Sequence, residues 1–187
     1  SILLSSTSNL QSYLLEPQIE PYQKLIEKYK NYKNIIPLNY AIHPSKDSFY
    51  LHRAEASSIN DASSFLNGTG SFSLKHVKKF VGNKKLKLSK IRVKCISINK
   101  LMKKFKLNKI DILIIDAEGF DYEILKSINF KKVKPQIIRF EHGIRDSVMS
   151  NAKFTEICNI LNKNRYQIIT ESYDATAFLI NRKELIF

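Results

Sequence analysis

The sequence has only two cysteines and no long apolar run, and each of these features excludes some classes of protein. No run of 18 apolar residues occurs, so we predict no membrane-spanning helix. The two cysteines, Cys95 and Cys158, form no CxxC motif and have no histidine at a metal-binding spacing. We therefore expect two buried free thiols in a reducing compartment, which favours a cytoplasmic protein; a disulfide is the alternative.

Long polar low-complexity tracts are also absent, and the remaining composition is that of a folded protein. Hydrophobic residues make up 43% of the 187 residues and aromatic residues 11%. This length suits one domain with a substantial core and leaves little room for two. We therefore predict a single globular domain over residues 1–187.

Acidic residues are outnumbered by basic residues, 17 against 31, which gives a net charge of +14. Such an excess attracts phosphate and raises the hypothesis of a nucleic-acid partner. However, 25 of the 31 basic residues are lysine, and they are spread along the chain with no RGG, zinc-finger or aromatic RNP motif beside them. The charge therefore favours solvated surfaces, and nucleic acid stays an alternative partner.

Apolar patterns of two periods alternate along the chain and predict an α/β fold. Strands that alternate with helices indicate a largely parallel sheet with right-handed crossovers. The last two strands, 166–170 and 175–180, are joined by about four residues and must be antiparallel. The small, polar stretch 54–70 is either a lid or an ordinary surface loop. The predicted strands are 13–16, 35–42, 48–52, 91–98, 110–116, 135–142 and the final pair, and the predicted helices are 21–32, 100–105, 121–128 and 152–162.

Segment 110–121 is the most informative part of the sequence, because an aliphatic run ends there in three acids. Its aliphatic residues predict a strand that is buried on both faces of a parallel sheet. Asp116, Glu118 and Asp121 follow that strand. In open α/β sheets ligands bind at the carboxyl ends of the strands, so these acids are candidates for chemistry.

A second polar group, Glu141-His142, ends the strand predicted over 135–142. Because it emerges from the neighbouring strand, we expect it at the same edge of the sheet as the acids of segment 110–121. The other histidines, His43, His52 and His76, have no evident partners in the sequence and are expected on the surface or in loops.

With its elements in this order, the chain resembles the FkbM-type family of S-adenosylmethionine-dependent methyltransferases. The resemblance extends from about Tyr13 to the end of the chain. It implies a Rossmann-like three-layer sandwich whose mostly parallel sheet ends in an antiparallel hairpin. It also implies transfer of a methyl group from S-adenosylmethionine to a hydroxyl of a sugar, or of another small molecule or glycan. The matching segments are Leu14-Leu15-Glu16-Pro17, Tyr22-Gln23-Lys24-Leu25, Asn39-Tyr40-Ala41-Ile42, Asp116-Ala117-Glu118-Gly119 with the helix after it, 135–142 and Arg165-Tyr166.

The first strand and the glycine-rich turn of that family are not visible in this sequence. Residues 1–12 contain no glycine and are too few for a strand, a turn and a helix before the Glu16 strand. A sheet without its central strand would expose backbone hydrogen-bonding groups, so we expect further residues upstream. The alternatives to a metabolite methyltransferase are a nucleic-acid methyltransferase and a degenerate, non-catalytic interaction module.

The resemblance implies cofactor contacts at three strand ends. Glu16 would accept hydrogen bonds from the ribose hydroxyls, and Ala41 and Ile42 would flank the adenine. Asp116 would face the positively charged sulfonium or amino group of the cofactor. The alternatives are an exposed helix-entry acid for Glu16 and simple core packing for Ala41 and Ile42.

The predicted catalytic residues are Glu118, His142 and Asp116. Glu118 would orient or deprotonate the acceptor hydroxyl. His142 is the other candidate base, because histidine ordinarily titrates near neutral pH, although a single histidine is more often structural. Asp121 is expected to cap the helix that begins there, and the alternative for Asp116 or Glu118 is that one of them is the cap. The number of carboxylates alone would allow a divalent metal at Asp116, Glu118 and Glu141, but nothing requires one and we predict no metal site.

Overall fold

The computed structural model describes residues 10–55, 70–72, 74, 77–78 and 87–180. These residues form two compact units. The described part of the first unit is 10–55, 70 and 87–97, and that of the second is 71–72, 74, 77–78 and 98–180. Most of the predicted loop over 54–70, as well as His76, lies outside the described residues.

In the first unit, two short parallel strands flank a helix. Strand β1 (Ser12–Leu15) pairs with β2 (Ile35–Leu38), with Ser12 opposite Ile35. Helix α1 (Ile19–Tyr29) connects the strands and contacts β2. A proline in the first turn of a helix loses no intrahelical hydrogen bond, which explains why Pro21 is tolerated there. This β-α-β arrangement was predicted from the sequence.

A second sheet of the first unit contains the antiparallel pairing that the sequence analysis did not predict. Its strands are β3 (Ala41–Ile42), β4 (Ser48–Glu55), β6 (Lys87–Ile96) and the two-residue strand β5 (Gly70–Ser71), of which only Gly70 belongs to this unit; they lie in the order β3-β6-β4-β5. Strand β3 is parallel to β6, and β4 is antiparallel to it over eight residue pairs. The strand predicted over 35–42 is therefore two strands, β2 and β3, which pair with different partners.

The second unit contains a four-stranded mixed sheet. Its strands β7 (Ile112–Ile115), β8 (Ile137–Glu141), β9 (Tyr166–Thr170) and β10 (Asp174–Leu179) lie in the order β7-β8-β10-β9. Strands β7 and β8 are parallel, whereas β10 is antiparallel to both β8 and β9. The predicted antiparallel hairpin at 166–180 is confirmed. The helices of this unit are α2 (Ile98–Lys104), α3 (Asp121–Lys126) and α4 (Asn151–Lys163).

One face of this mixed sheet holds the core of the second unit. Ile138 and Phe140 of β8 are completely buried, and so are Ile157 and Leu161 of α4, which contacts β9. On the opposite face the side chain of Ile114 is 68% exposed. The prediction that the strand in 110–116 is buried on both faces is therefore wrong. Alternate side chains of a strand point to opposite faces, and within the described part of this unit the buried apolar side chains of β8 lie on one face of the sheet.

The described structure thus has the predicted α/β class, with both parallel and antiparallel strand pairs. Cys95 and Cys158 are free thiols, as predicted; Cys95 is buried and Cys158 is partly buried. Burial raises the pKa of the Cys95 thiol to about 11. Within the ranges that the structure describes, no helix is long and apolar enough to cross a membrane.

His43 lies in a loop, one of the two positions predicted from the sequence, but it is buried. It follows β3 and is only 9% exposed, and its Nδ1 accepts hydrogen bonds from the Ser45 and Lys46 amides at 3.2 and 3.0 Å. Burial lowers the pKa of its imidazole, and the positive charge of Lys46 lowers it further. His43 is therefore a buried loop residue that stabilises a turn, which agrees with the loop alternative of the prediction and not with the surface alternative.

Candidate active site

An open pocket of about 470 Å³ lies in the second unit, where the parallel strands β7 and β8 end. Asp116 directly follows β7, Glu141 ends β8, and Asp174 begins β10. Because Asp174 lies opposite Glu141 in the antiparallel pair, three strands deliver an acid to one edge of the sheet. The lining residues are Ile114, Ile115, Asp116, Glu118, Arg139, Glu141, Tyr173 and Asp174.

The pocket has an acidic lining, with four carboxylates and a single guanidinium among its lining residues. Burial raises the pKa of Asp116, and the charges of Glu118 and Asp174 raise it further. The guanidinium of Arg139 is held by two acids, since its Nη2 donates to Glu171 Oε2 at 2.9 Å and to Asp174 Oδ2 at 2.8 Å. The charge of the lining is therefore net negative, which suits a positively charged ligand.

The turn after β7 places Glu118 in an uncommon backbone conformation. Glu118 has φ +48° and Gly119 has φ +86°, so two consecutive residues lie in the left-handed region. Glycine adopts this region without a steric penalty, whereas for glutamate it is unfavourable. The Glu118 carbonyl accepts a hydrogen bond of 2.6 Å from the hydroxyl of Ser71, a buried residue. Such strained residues cluster at functional sites, and this one lines the pocket.

Asp121 does not cap helix α3, although the sequence predicted that it would. Phe120 occupies the N-cap position, and Asp121 is the first helical residue, only 1% exposed. Its Oδ2 accepts from the Ala117 amide at 3.2 Å, and its Oδ1 accepts from the Glu141 amide at 3.1 Å. One buried carboxylate thus bridges the turn after β7 and the end of β8, which the sequence analysis did not foresee.

Burial raises the pKa of Asp121 to about 7. The hydrogen bonds from the Glu141 and Ala117 amides act in the opposite direction, because they stabilise the ionised form. The negative charges of Glu141 and Asp116 raise the pKa again. This carboxyl therefore changes its protonation state within the physiological pH range, directly beside the pocket.

His142 directly follows β8 but is not one of the residues lining the pocket. It is 3% exposed, and its ring centroid lies 4.8 Å from that of Phe154. Its Nδ1 accepts from the Ile144 amide at 3.3 Å, which assigns the ring proton to Nε2, and Nε2 lies 3.2 Å from the Glu171 carbonyl oxygen. Both ring nitrogens thus have backbone partners that hold the chain around the strand ends.

Glu16 of the first unit directly follows β1 and is partly buried. Its Oε1 accepts a hydrogen bond of 2.8 Å from the Gln18 amide. Burial raises the pKa of Glu16, and that hydrogen bond lowers it. The side-chain amide of Asn39 donates to the carbonyls of Glu16 and Pro17, both at 3.0 Å, so the turn after β2 supports the turn that carries Glu16.

Ala41 and Ile42, the other predicted cofactor contacts, form β3 in the first unit. Ala41 is 8% exposed and lies opposite Cys95, whereas Ile42 is only partly buried. The structure therefore brings Asp116, Glu118 and Glu141 together in one pocket of the second unit. Of the four predicted cofactor contacts, Asp116 lies in this pocket, and the other three, Glu16, Ala41 and Ile42, lie in the first unit.

Three pocket residues had no predicted role: Arg139, Tyr173 and Asp174. Asp174 could have been predicted from the hairpin at the end of the chain. If the second strand of the hairpin pairs with the strand over 135–142, the start of the former lies beside the end of the latter. Arg139 lies inside a strand, and nothing local distinguishes it from a surface arginine. In the part of the chain that the structure describes, no group of three histidine, cysteine or acidic residues is arranged to hold a metal ion.

Comparison with known proteins identifies the family. Searches of curated proteins and of solved structures give no significant match. The model of the methyltransferase FkbM domain, in contrast, matches residues 11–168, far more than half of the 187 residues. The matched range includes Glu16, β3 and the turn from Asp116 to Asp121. The chain therefore belongs to the FkbM methyltransferase family.

Proposed function

We propose that this protein transfers a methyl group from S-adenosylmethionine to an oxygen atom, a hydroxyl of a sugar or of another small metabolite. We also propose that the whole domain has the Rossmann-like three-layer arrangement of class I methyltransferases. The observation that carries the proposal is the acidic pocket at the ends of β7 and β8 in a chain of the FkbM family. The free thiols of Cys95 and Cys158 are compatible with a reducing cytoplasm, where we place the activity.

The charge of the pocket fits the cofactor. S-adenosylmethionine supplies a methyl group on a positively charged sulfonium and carries an ammonium group as well. The net negative lining would attract both groups, and Asp116 is the partly buried carboxylate that we assign to them. Burial and the neighbouring acids raise the pKa of Asp116. A bound cation would act in the opposite direction, because it favours the ionised form of the carboxyl.

Three residues of the first unit complete the proposed cofactor contacts. Glu16 would accept hydrogen bonds from the two ribose hydroxyls; burial has removed part of the water around its carboxylate, which strengthens such bonds. Ala41 and Ile42 would provide small, apolar contacts for the adenine. The support for these roles is the family match over this segment and the position of each residue in or directly after a strand.

We propose that Glu118 is the base that accepts the proton of the acceptor hydroxyl. Methyl transfer to oxygen requires alignment of the hydroxyl with the methyl group and removal of one proton. Glu118 lines the pocket, and its backbone carbonyl is held by Ser71. His142, the other predicted base, has backbone partners at both ring nitrogens, so we assign it to supporting the strand ends.

Binding of S-adenosylhomocysteine, measured by calorimetry, tests the cofactor assignment. We expect Glu16→Ala to weaken binding about tenfold, because two hydrogen bonds from hydroxyls to a charged acceptor are lost. The matched control is Glu20→Ala, which removes an exposed acid from the first turn of α1 and should bind like the wild type. Equal affinity for the wild type and Glu16→Ala would remove Glu16 from the ribose site.

A nucleic-acid acceptor is the second candidate, and one feature of the first unit favours it. Lys90, Arg92 and Lys94 are alternate, exposed residues of β6 and therefore share one face of the sheet. On that face the Lys90 ammonium lies 5.0 Å from the ring centroid of Tyr50, which is 50% exposed. Transfer of labelled methyl to RNA rather than to glycans, with a steep dependence on salt concentration, would decide for this candidate.

A further inference from the structure

We infer that Asp121 is a positioning residue that holds the three acids Asp116, Glu118 and Glu141 in place at the pocket. The inference deepens the proposed function, and it rests on that function only where it concerns the cofactor. It assigns no contact with cofactor or acceptor to Asp121, because this side chain is buried and is not one of the residues that line the pocket.

The positions of the two amides that Asp121 binds support the inference. Ala117 lies directly between Asp116 and Glu118, so a hydrogen bond to its amide restrains the backbone that carries both acids. The other amide belongs to Glu141 itself. A single carboxylate, with one oxygen on each amide, therefore links the two strand ends beyond the last ladder pair, Ile115 and Phe140, at the acids that the strands carry.

The strain in the same turn explains why such a bridge is needed. Glu118 lies in the left-handed region, which glutamate rarely adopts, and a turn without support would relax away from it. The turn is held from two directions: Ser71 donates to the Glu118 carbonyl, and Asp121 accepts from the Ala117 amide. The buried carboxylate thus stabilises a conformation that the local sequence does not favour.

Neutral side chains of similar shape cannot replace this bridge. Asparagine has one acceptor oxygen, and its amide group would direct a donor at the second backbone N–H. Asp121→Asn therefore retains at most one of the two hydrogen bonds. Leu125→Ala is the matched control, since Leu125 lies one turn further along α3, is also 1% exposed, and forms no side-chain hydrogen bond to either amide.

The experiment is amide hydrogen exchange by NMR on the full chain, at pH 8 and at equal fractions of folded protein. We expect the Ala117 or Glu141 amide to exchange at least about tenfold faster in Asp121→Asn than in the wild type. Leu125→Ala lowers the global stability. In this variant both amides should exchange no faster than that lower stability requires. Equal protection of both amides in the two variants would overturn the inference.

A second measurement keeps the inference testable if Asp121→Asn does not fold. In the wild type, the Ala117 and Glu141 amide protons should shift together with pH, with a common midpoint at about 7, the pKa to which burial raises Asp121. The acids that face Asp121, namely Glu141 and Asp116, contribute to the same titration. Two amides that titrate with separate midpoints would contradict a shared carboxylate.

Binding of S-adenosylhomocysteine to the same two variants separates this inference from the proposed function. Weaker binding by Asp121→Asn, with unchanged binding by Leu125→Ala, supports both. Loss of amide protection together with unchanged binding supports the bridge and counts against the pocket as the cofactor site.

Discussion

Asp121 should make the protein less stable as the pH rises toward neutrality. Burial raises the pKa of this carboxyl from 3.8 to about 7, so the folded chain keeps a proton that the unfolded chain has already released. Between these values the folded state binds more protons, and the free energy of unfolding therefore decreases with increasing pH. The stabilisation is fully present below pH 3.8 and is lost as the pH rises through about 7.

The size of this effect follows from the difference between the two pKa values. Each pH unit between them corresponds to about 1.4 kcal/mol, which gives about 4 kcal/mol in total and about 3 kcal/mol between pH 5 and pH 8. Solvent screening reduces this free energy only slightly, because Asp121 is only 1% exposed. The raised pKa values of Glu16 and Asp116 act in the same direction, and the lowered pKa of His43 acts in the opposite direction.

Urea unfolding at pH 5 and pH 8, followed by far-ultraviolet circular dichroism, measures the effect. Comparing the wild type with Asp121→Asn largely cancels the contributions of the other titrating groups. The decrease in the free energy of unfolding between pH 5 and pH 8 should therefore be about 3 kcal/mol smaller in the variant than in the wild type. Asp111→Asn, which changes an acid whose side chain is 51% exposed, should behave like the wild type. Losses that agree within about 0.5 kcal/mol for the wild type and Asp121→Asn would refute the reasoning.

Two further substitutions test the site and the core. Glu118→Gln should lower turnover by about a hundredfold or more while S-adenosylhomocysteine affinity changes little, because a base acts on the acceptor and not on the cofactor; unimpaired turnover would end its catalytic assignment. Tyr166→Phe should cost about 1–2 kcal/mol in thermal unfolding, because the 2.7 Å bond from its buried hydroxyl to the Pro135 carbonyl is lost. Tyr173→Phe, at a residue 47% exposed, is the control, and an equal loss there would contradict this explanation.

Strand pairing shows how far the sequence could predict this fold. The parallel pair β7 and β8 and the antiparallel hairpin of β9 and β10 were predicted, because connection length restricts strand direction. The division of segment 35–42 into β2 and β3 was not predicted. Alternation of apolar residues reveals a strand but does not identify its partner, and these two strands pair with β1 and β6.

Local sequence also determined which acids come to the carboxyl ends of the strands. A strand that is followed directly by Asp116 and Glu118 places them at the carboxyl edge of its sheet, which is where ligands bind in open α/β sheets, and the family hallmark lies in the same few residues. Tertiary structure alone decided the hydrogen-bond partners of Asp121 and His142. One partner of the Asp121 carboxylate is the Glu141 amide, 20 residues away, and one partner of the His142 ring is the Glu171 carbonyl, 29 residues away. No local pattern reveals such partners, so the sequence alone does not show whether a side chain caps a helix, bridges two strands or faces a pocket.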